Sequence, residues 1–299
     1  MLEGIHLLLT YKCNLECEHC FVFSGPNEEG TFTVSQIEVL LSEAKKINSL
    51  EWIYFEGGEP FLFYPLMLKG IELAHKLRFK VGVVTNCYWA TSEDDALLWL
   101  NPLKKLVADL SLSEDQYHYG LEKADLPTKH ALKAAQKLQI PVSIINITQP
   151  LSNIASKTTK IKGAPIIGGD VVFRGRAVDK LTHGLSMRKS KDLCECPYES
   201  LDQPSRVHID ACGNVQVCQG LSIGNAWNNP LSQLIEEYKC KSHPICGPLN
   251  NGGPILLANK YEVPYSDEYV DECHFCFMTR RALLDQFPNY LLPRQVYGL

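Results

Sequence analysis

The apolar run Ile5-His6-Leu7-Leu8-Leu9-Thr10 leads within three residues into Cys13-Asn14-Leu15-Glu16-Cys17-Glu18-His19-Cys20, and this junction decides how the chain is read. A strand-like segment ends in a C-x3-C-x2-C loop. Three thiolates within eight residues can ligate three irons of a cubane cluster from one loop, because thiolates are the natural ligands of iron–sulfur clusters. No fourth cysteine follows at similar spacing. The fourth iron would stay open to an exogenous ligand, as catalytic metal sites keep one position open. The plainer alternatives are a zinc knuckle or scattered structural cysteines. Zinc sites pair C-x2-C units with each other or with histidines, which fits this triplet poorly.

Composition narrows the class. The chain has 299 residues, 45% hydrophobic and 21% charged, enough for one large domain and a small one. A net charge of −5 and no basic arm argue against a nucleic-acid binder that relies on a broad basic surface. No apolar stretch reaches membrane-spanning length and no signal-peptide pattern opens the chain. Its 12 cysteines therefore read as metal ligands in a cytoplasmic protein rather than as disulfides.

Outward from the triplet, short apolar runs alternate with amphipathic segments as far as about residue 175. Expected strands are Ile5–Thr10, Trp52–Phe55, Lys80–Thr85, Val107–Ser113, Val142–Ile147 and Val171–Phe173. Expected helices begin with the segment carrying Val34, Ile37, Leu40, Leu41, Ala44 and Ile47 on one face, capped by a Thr33/Gln36 box. Others are expected at about 65–77, at 92–100 behind Ser92, at 128–138 behind Thr128, and at Thr279–Phe287. Such βα repeats imply an α/β fold with parallel strands, with the chemistry at the C-terminal strand ends if they close into a barrel. Beyond about residue 180 the alternation stops and Pro, Gly, Asn and Cys dominate. A boundary near residue 190 separates a core (1–190) from a small cysteine-rich domain (191–299) that needs a staple.

The triplet after a first strand, followed at the next strand end by Glu56-Gly57-Gly58-Glu59-Pro60, resembles the radical S-adenosylmethionine (radical SAM) superfamily. That resemblance implies a partial (β/α)6 barrel. It also implies a [4Fe–4S] cluster on Cys13, Cys17 and Cys20 whose open iron chelates SAM, and cleavage of SAM to a 5'-deoxyadenosyl radical that abstracts hydrogen from an unactivated C–H bond. The SAM contacts would come from His19 in the cluster loop and from the G-G-E-P stretch Gly57, Gly58, Glu59 and Pro60. Asn86, in Thr85-Asn86-Cys87, would add one where the family has T-N-G. Ser113 and Asp115 match an S-x-D pattern near the ribose and carboxylate. Asn146 and Arg174 or Arg176, at the fifth and sixth strand ends, could grip SAM or a substrate carboxylate. Read without the family, Asn86 is an ordinary turn residue, the arginines are surface groups, and Tyr88 and Trp89 are core.

Eight cysteines lie beyond residue 190. Cys196-Pro197, then Gly213-x4-Cys218 in a hairpin-like stretch, then Cys273-x2-Cys276 resemble the twitch form of the SPASM/twitch extension. The resemblance implies one auxiliary [4Fe–4S] cluster on Cys196, Cys218, Cys273 and Cys276. Zinc is the competing occupant, Cys194 could replace Cys196, and Cys194, Cys212, Cys240 and Cys246 have no assigned role. Peptide-epimerising members place a hydrogen-donating cysteine after the residue matching Cys218, where this chain has Gln219. A thiol donor would have to be Cys212 or Cys87.

The expected function is a radical SAM enzyme acting on a ribosomally made peptide, with a flavodoxin- or ferredoxin-like electron donor. The chain opens at its first strand, so no leader-binding domain is expected in cis. Dehydrogenation of a small molecule, a sugar or amino-acid derivative, is the second reading. A non-enzymatic iron–sulfur or zinc carrier is the third, but a carrier has no need of a SAM site.

Overall fold

A computed structural model describes residues 1–119, 126–150, 162–164 and 168–299. Its strands are β1 (Gly4–Leu8), β2 (Trp52–Glu56), β3 (Lys80–Thr85), β4 (Asp109–Ser113), β5 (Val142–Thr148), β6 (Gly168–Asp170), β7 (Arg188–Lys189), β8 (Arg206–Asp210), β9 (Asn214–Cys218), β10 (Leu221–Asn225) and β11 (Glu268–Tyr269). The helices are α1 (Val34–Ala44), α2 (Tyr64–Lys76), α3 (Glu93–Leu100), α4 (Gln116–Tyr119), α5 (Leu126–Leu138), α6 (Arg176–Lys180), α7 (Leu231–Glu237), α8 (Cys246–Lys260) and α9 (Glu272–Ala282).

One sheet, in the order β10-β9-β8-β1-β2-β3-β4-β5-β6, organises the described residues. Strands β1 to β6 are mutually parallel, giving the expected α/β partial barrel. The hairpin read in Val207–Cys218 is present as β8 and β9, and β8 pairs parallel with β1, Gly4 opposite Arg206 and Leu8 opposite Asp210. The cysteine-rich C-terminal region thus continues the sheet of the barrel.

Period-two alternation sorts the strands into two faces. Ile5, Leu7, Ile53, Phe55, Val81, Val83, Leu110, Leu112, Val207 and Ile209 are buried in the main hydrophobic core. His6, Leu8, Tyr54, Glu56, Asp109, Ser111 and Ser113 line a cleft on the other face. Helix α1 buries Ile37, Leu40, Leu41 and Ala44, the larger of which are worth about 2 kcal/mol each. Its Thr33–Gln36 capping box is formed as read, and Ser92 caps α3.

Three expectations are corrected. The sixth strand is Gly168–Asp170, because Asn146–Thr148 of β5 supply the pairing edge there, while Val171, Val172 and Phe173 are buried loop residues. Thr128 lies inside α5, its hydroxyl donating to the Ser113 carbonyl rather than capping the helix. The last helix starts at Glu272, capped by Asp271, whose carboxylate accepts from the His274 amide. Cys273 and Cys276 therefore sit on that helix and not before it.

Candidate active site

A cleft of about 320 Å³ opens at the C-terminal ends of the parallel strands, and Cys13, Cys17 and Cys20 all line it. Their loop is closed by backbone bonds from Cys13 to Gly25 and from Gly25 to Tyr11. Arg176 straps it, donating to the Cys17 carbonyl at 2.8 Å and the Ser24 carbonyl at 2.7 Å. Burial pushes the Cys13 thiol up to about 12, and Cys17 rises as well. Thiols so buried are poor thiolates unless a metal holds the charge. Donors are in place for sulfur ligands: Leu15 N lies 3.5 Å from Cys13 Sγ, Asn86 Nδ2 3.6 Å from it, and Ser24 N 3.3 Å from Cys20 Sγ. Such N–H···S contacts stabilise and tune thiolate clusters. Three cysteines on one cleft wall with amide donors fit the three-thiolate half of an iron–sulfur site.

The turn after β2 presses against the segment that leads into Cys13. A Cβ on Gly57 (φ +141°) would stand 2.5 Å from the Thr10 carbonyl oxygen, and one on Gly58 2.1 Å from that of Lys12. Only glycine permits this approach. Backbone bonds from Gly58 to Thr10 and from Glu59 to Lys12 hold it. Both glycines line the cleft, while Glu59 and Pro60 lie behind it. The wholly buried Glu59 carboxylate accepts from Phe61 N, Thr85 Oγ1 and Asn86 N at 2.8–3.0 Å, which locks this turn to the end of β3. Burial, only partly offset by those donors, pushes its carboxyl up to about 7.

Asn86 lines the cleft, and its side-chain amide donates to Asn14 Oδ1 at 2.9 Å besides facing Cys13. Cys87 adopts φ +67°, the left-handed region that favours glycine, which explains why a T-N-G turn accommodates it only under constraint. Ser113, Asp115, His118 and His19 also line the cleft. Asp115 is buried, yet His118 (2.7 Å) and His19 (3.6 Å) hold its carboxyl below the ordinary range. His19 stacks on Tyr117 at 4.5 Å. Asn146 does not line the cleft. Its neighbours Ile145 and Ile147 do, and its amide is turned out to the Glu114 carbonyl.

The polar floor of the cleft was not visible in sequence. His6 Nδ1 and Glu56 Oε2 are 3.0 Å apart and His208 Nε2 lies 3.5 Å from Glu56 Oε1, joining residues of β1, β2 and β8. Burial opposes the Glu56 charge, but His6, His208 and Arg206 together hold its carboxyl at about 2. Beside it Tyr54, Ser111 and Ser143 all donate to Asp109. A histidine in an apolar run is no signal by itself. These groups become a site only through strand pairing.

Cys196, Cys218, Cys273 and Cys276 meet around a second, small cavity of about 20 Å³, together with Arg174 and Arg280. None of Cys194, Cys212, Cys240 and Cys246 lines it. Arg174 is 3% exposed and lines both cavities, with Nη1 at 3.3 Å from Cys218 Sγ and from Glu199 Oε1. Four convergent thiols, Cys218 buried and the other three half-buried, beside buried guanidiniums fit an anionic metal–thiolate centre.

Comparison with known proteins agrees with this geometry. Residues 7–148 match the family model described as the Radical SAM superfamily. YydG of Bacillus subtilis (strain 168), a protein named for peptide biosynthesis, is 23% identical over 294 residues, 92% of this chain and 91% of that protein. An S-adenosylmethionine-dependent nucleotide dehydratase of Selenomonas ruminantium is 25% identical over 164 residues, 54% of this chain and 55% of that one. The fold is similar to that of native anSMEcpe with bound AdoMet, with a TM-score of 0.55 at 14% identity, covering 100% of this chain and 99% of that one. The part that matches this family model, residues 7–148, runs from within β1 to the end of β5 and so includes the cysteine triplet and the Gly57-Gly58 turn.

Proposed function

We propose that this protein is a radical SAM enzyme that modifies a ribosomally made peptide. The observation that carries the reading is the convergence of Cys13, Cys17 and Cys20 with Gly57, Gly58 and Asn86 on one cleft. In this reading Cys13, Cys17 and Cys20 would hold a cubane cluster, which together with SAM would supply hydrogen-atom abstraction from an unactivated C–H bond. The backbone at Gly57 and Gly58 receives the SAM amino group. His19, Ser113 and Asp115 face the nucleoside, and Asn86 orients the cysteine loop. Glu59 and Pro60 act from behind by fixing the turn, and Asn146 by holding the Glu114 carbonyl. Leu8, Val84, Ile145 and Ile147 give the cleft an apolar wall that excludes water. Glu56, held by two histidines, is the fixed charge against which a substrate is oriented.

Residues 191–299 form in this proposal a twitch-type domain with an auxiliary [4Fe–4S] cluster on Cys196, Cys218, Cys273 and Cys276, joined to a core of residues 1–190. Arg174 belongs with this second site as much as with SAM. A cytoplasmic location and a flavodoxin- or ferredoxin-like donor complete the assignment. Peptide substrates are supported by the likeness to YydG along nearly the whole chain.

Oxidation of a small molecule is the second reading, supported by one observation. Among the described residues no thiol outside the triplet lines the large cleft, so neither Cys87 nor Cys212 stands ready as a hydrogen donor. The likeness to a nucleotide dehydratase supports the small-molecule substrate of this reading but not the oxidation, since dehydration is redox-neutral.

The test is anaerobic reconstitution followed by reduction with SAM present. About eight irons per chain and formation of 5'-deoxyadenosine are expected, falling to about four irons and no 5'-deoxyadenosine in Cys13→Ala/Cys17→Ala/Cys20→Ala. Iron without any 5'-deoxyadenosine from wild type would leave only a carrier.

A further inference from the structure

The small cavity holds an unusual electrostatic arrangement. Arg280 is 2% exposed, and among the described residues no carboxylate lies within 4.0 Å of it. Its partners are neutral: Nη1 donates to the Gln219 carbonyl at 2.9 Å and to Tyr297 Oη at 3.4 Å, and Nε has no partner. Arg174 has only a share in a carboxylate, because Glu199 also takes Arg206 at 3.1 Å, and its Nε too is without a partner. The other acidic groups of the wall are engaged or wet. Glu272 takes Arg188 at 2.8 Å, and Glu195 is exposed. A buried guanidinium without an anion is costly, so buried charges are normally paired. The missing anion has an evident source. Cys273, Cys276 and Arg280 lie three and four residues apart on α9 and so share one face, and Arg174 touches Cys218 directly.

We propose that Arg174 and Arg280 are the built-in counter-charges of the four-cysteine site, and that they hold an iron–sulfur centre there at a raised reduction potential. The inference rests on the reading of Cys196, Cys218, Cys273 and Cys276 as its ligands. A cubane held by four thiolates is anionic, and one-electron reduction adds a negative charge without a proton. Two cations in a dry site favour that added charge far more than water would, and charge, burial and hydrogen bonds to sulfur are the levers that set such potentials. Arg174 also lines the large cleft, so the same cation stands between the reacting substrate and the four cysteines. The arrangement suits a centre that accepts an electron and is unnecessary for one that only staples the fold.

The experiment uses the full chain as Cys13→Ala/Cys17→Ala/Cys20→Ala, so that any cluster present is the auxiliary one. Into it go, singly, Arg280→Gln, Arg280→Lys, Arg174→Gln and Arg174→Lys. Iron is counted, and the centre is titrated with redox mediators while reduced signal is followed by electron paramagnetic resonance. At the midpoint of the arginine-intact protein, the reduced-to-oxidised ratio is expected to fall at least tenfold in each Gln variant, about 59 mV for one electron. The Lys variants are expected to keep most of the potential. Loss of iron from the Gln variants with retention in the Lys variants would also support the proposal, since the charge alone differs in kind. Full iron with unmoved midpoints would overturn it, as would loss of iron from all four, which would make shape the requirement. No iron in the arginine-intact triple variant would instead remove the four-cysteine reading, and the proposal with it.

Discussion

The two cysteine sites of this protein are built on opposite plans. Cys13, Cys17 and Cys20 sit on one loop, at the mouth of a cleft of about 320 Å³, with amide N–H groups aimed at sulfur. Cys196, Cys218, Cys273 and Cys276 come from a loop, a strand and a helix and enclose only about 20 Å³ beside two buried guanidiniums. An open site with three thiols leaves room for an exchangeable ligand. A closed site with four leaves no room for a substrate, and on the proposed reading its surroundings would act on a metal centre there through charge. The open site follows from local sequence, the closed one from tertiary structure, and in the proposed function chemistry and electron handling would divide along that line.

The sharpest way to break this comparison is to subtract one site at a time. Cys13→Ala removes a ligand of the open site, and 5'-deoxyadenosine formation is expected to drop by on the order of a hundredfold or more, since metal-assisted steps carry several kcal/mol of barrier. Cys276→Ala removes a proposed ligand of the closed one. There, 5'-deoxyadenosine should persist within about twofold, because Cys276 does not line the large cleft, while modified product is lost. Equal losses of 5'-deoxyadenosine in both variants would show that the two sites are not functionally divided.

A smaller effect should fall on the open site alone. Gly58→Ala places a Cβ 2.1 Å from the Lys12 carbonyl oxygen, where its nearest neighbours are all backbone atoms of Tyr11 and Lys12 rather than a flexible side chain. A cost on the order of 3 kcal/mol is expected. The readout is a lower midpoint of thermal unfolding together with iron lost from the triplet and kept by the four cysteines. Unchanged iron at both sites would mean that the turn after β2 does not position the cysteine loop.

What could be read from the sequence follows the same division. The triplet, the Gly57-Gly58 turn, the α1 capping box and the alternation of β1 to β5 are local patterns, and each is recovered in the structure. The sixth strand is misplaced by a few residues because Gly168-Gly169-Asp170 has no strand signal of its own and pairs only because β5 offers an edge. The polar floor was illegible for a stronger reason. His6, Glu56 and His208 lie 50 and 152 residues apart in turn, and only the parallel pairing of β1 with both β2 and β8 brings them together. The buried guanidiniums beside the closed site were likewise hidden, since Arg280 looks like any helical surface arginine until its burial is known.

The floor yields the smallest and most specific expectation. Burial holds His208 well below its ordinary value, with the Glu56 carboxylate opposing and His6, Arg206 and Arg174 reinforcing the shift. The folded protein therefore keeps it neutral where the unfolded chain would bind a proton. Its contribution is present above about pH 6.5 and is lost as the pH falls below that value. His243 and His274, also lowered by burial, act in the same direction and window, whereas Glu56 adds its own acid loss only below about pH 4.5. Glu59 and Asp271, each pushed up to about 7 by burial, act the opposite way in the same window, so the expectation lies in the difference: between pH 6.5 and 5 the urea midpoint of wild type should fall relative to that of His208→Gln, by at most one proton, about 1.4 kcal/mol per pH unit. Glutamine keeps a polar group facing Glu56 and Gln219 but cannot titrate, so parallel slopes in the two proteins would show that the ring takes up its proton in the folded cleft. The floor would then change charge near neutral pH rather than present the substrate with a constant field.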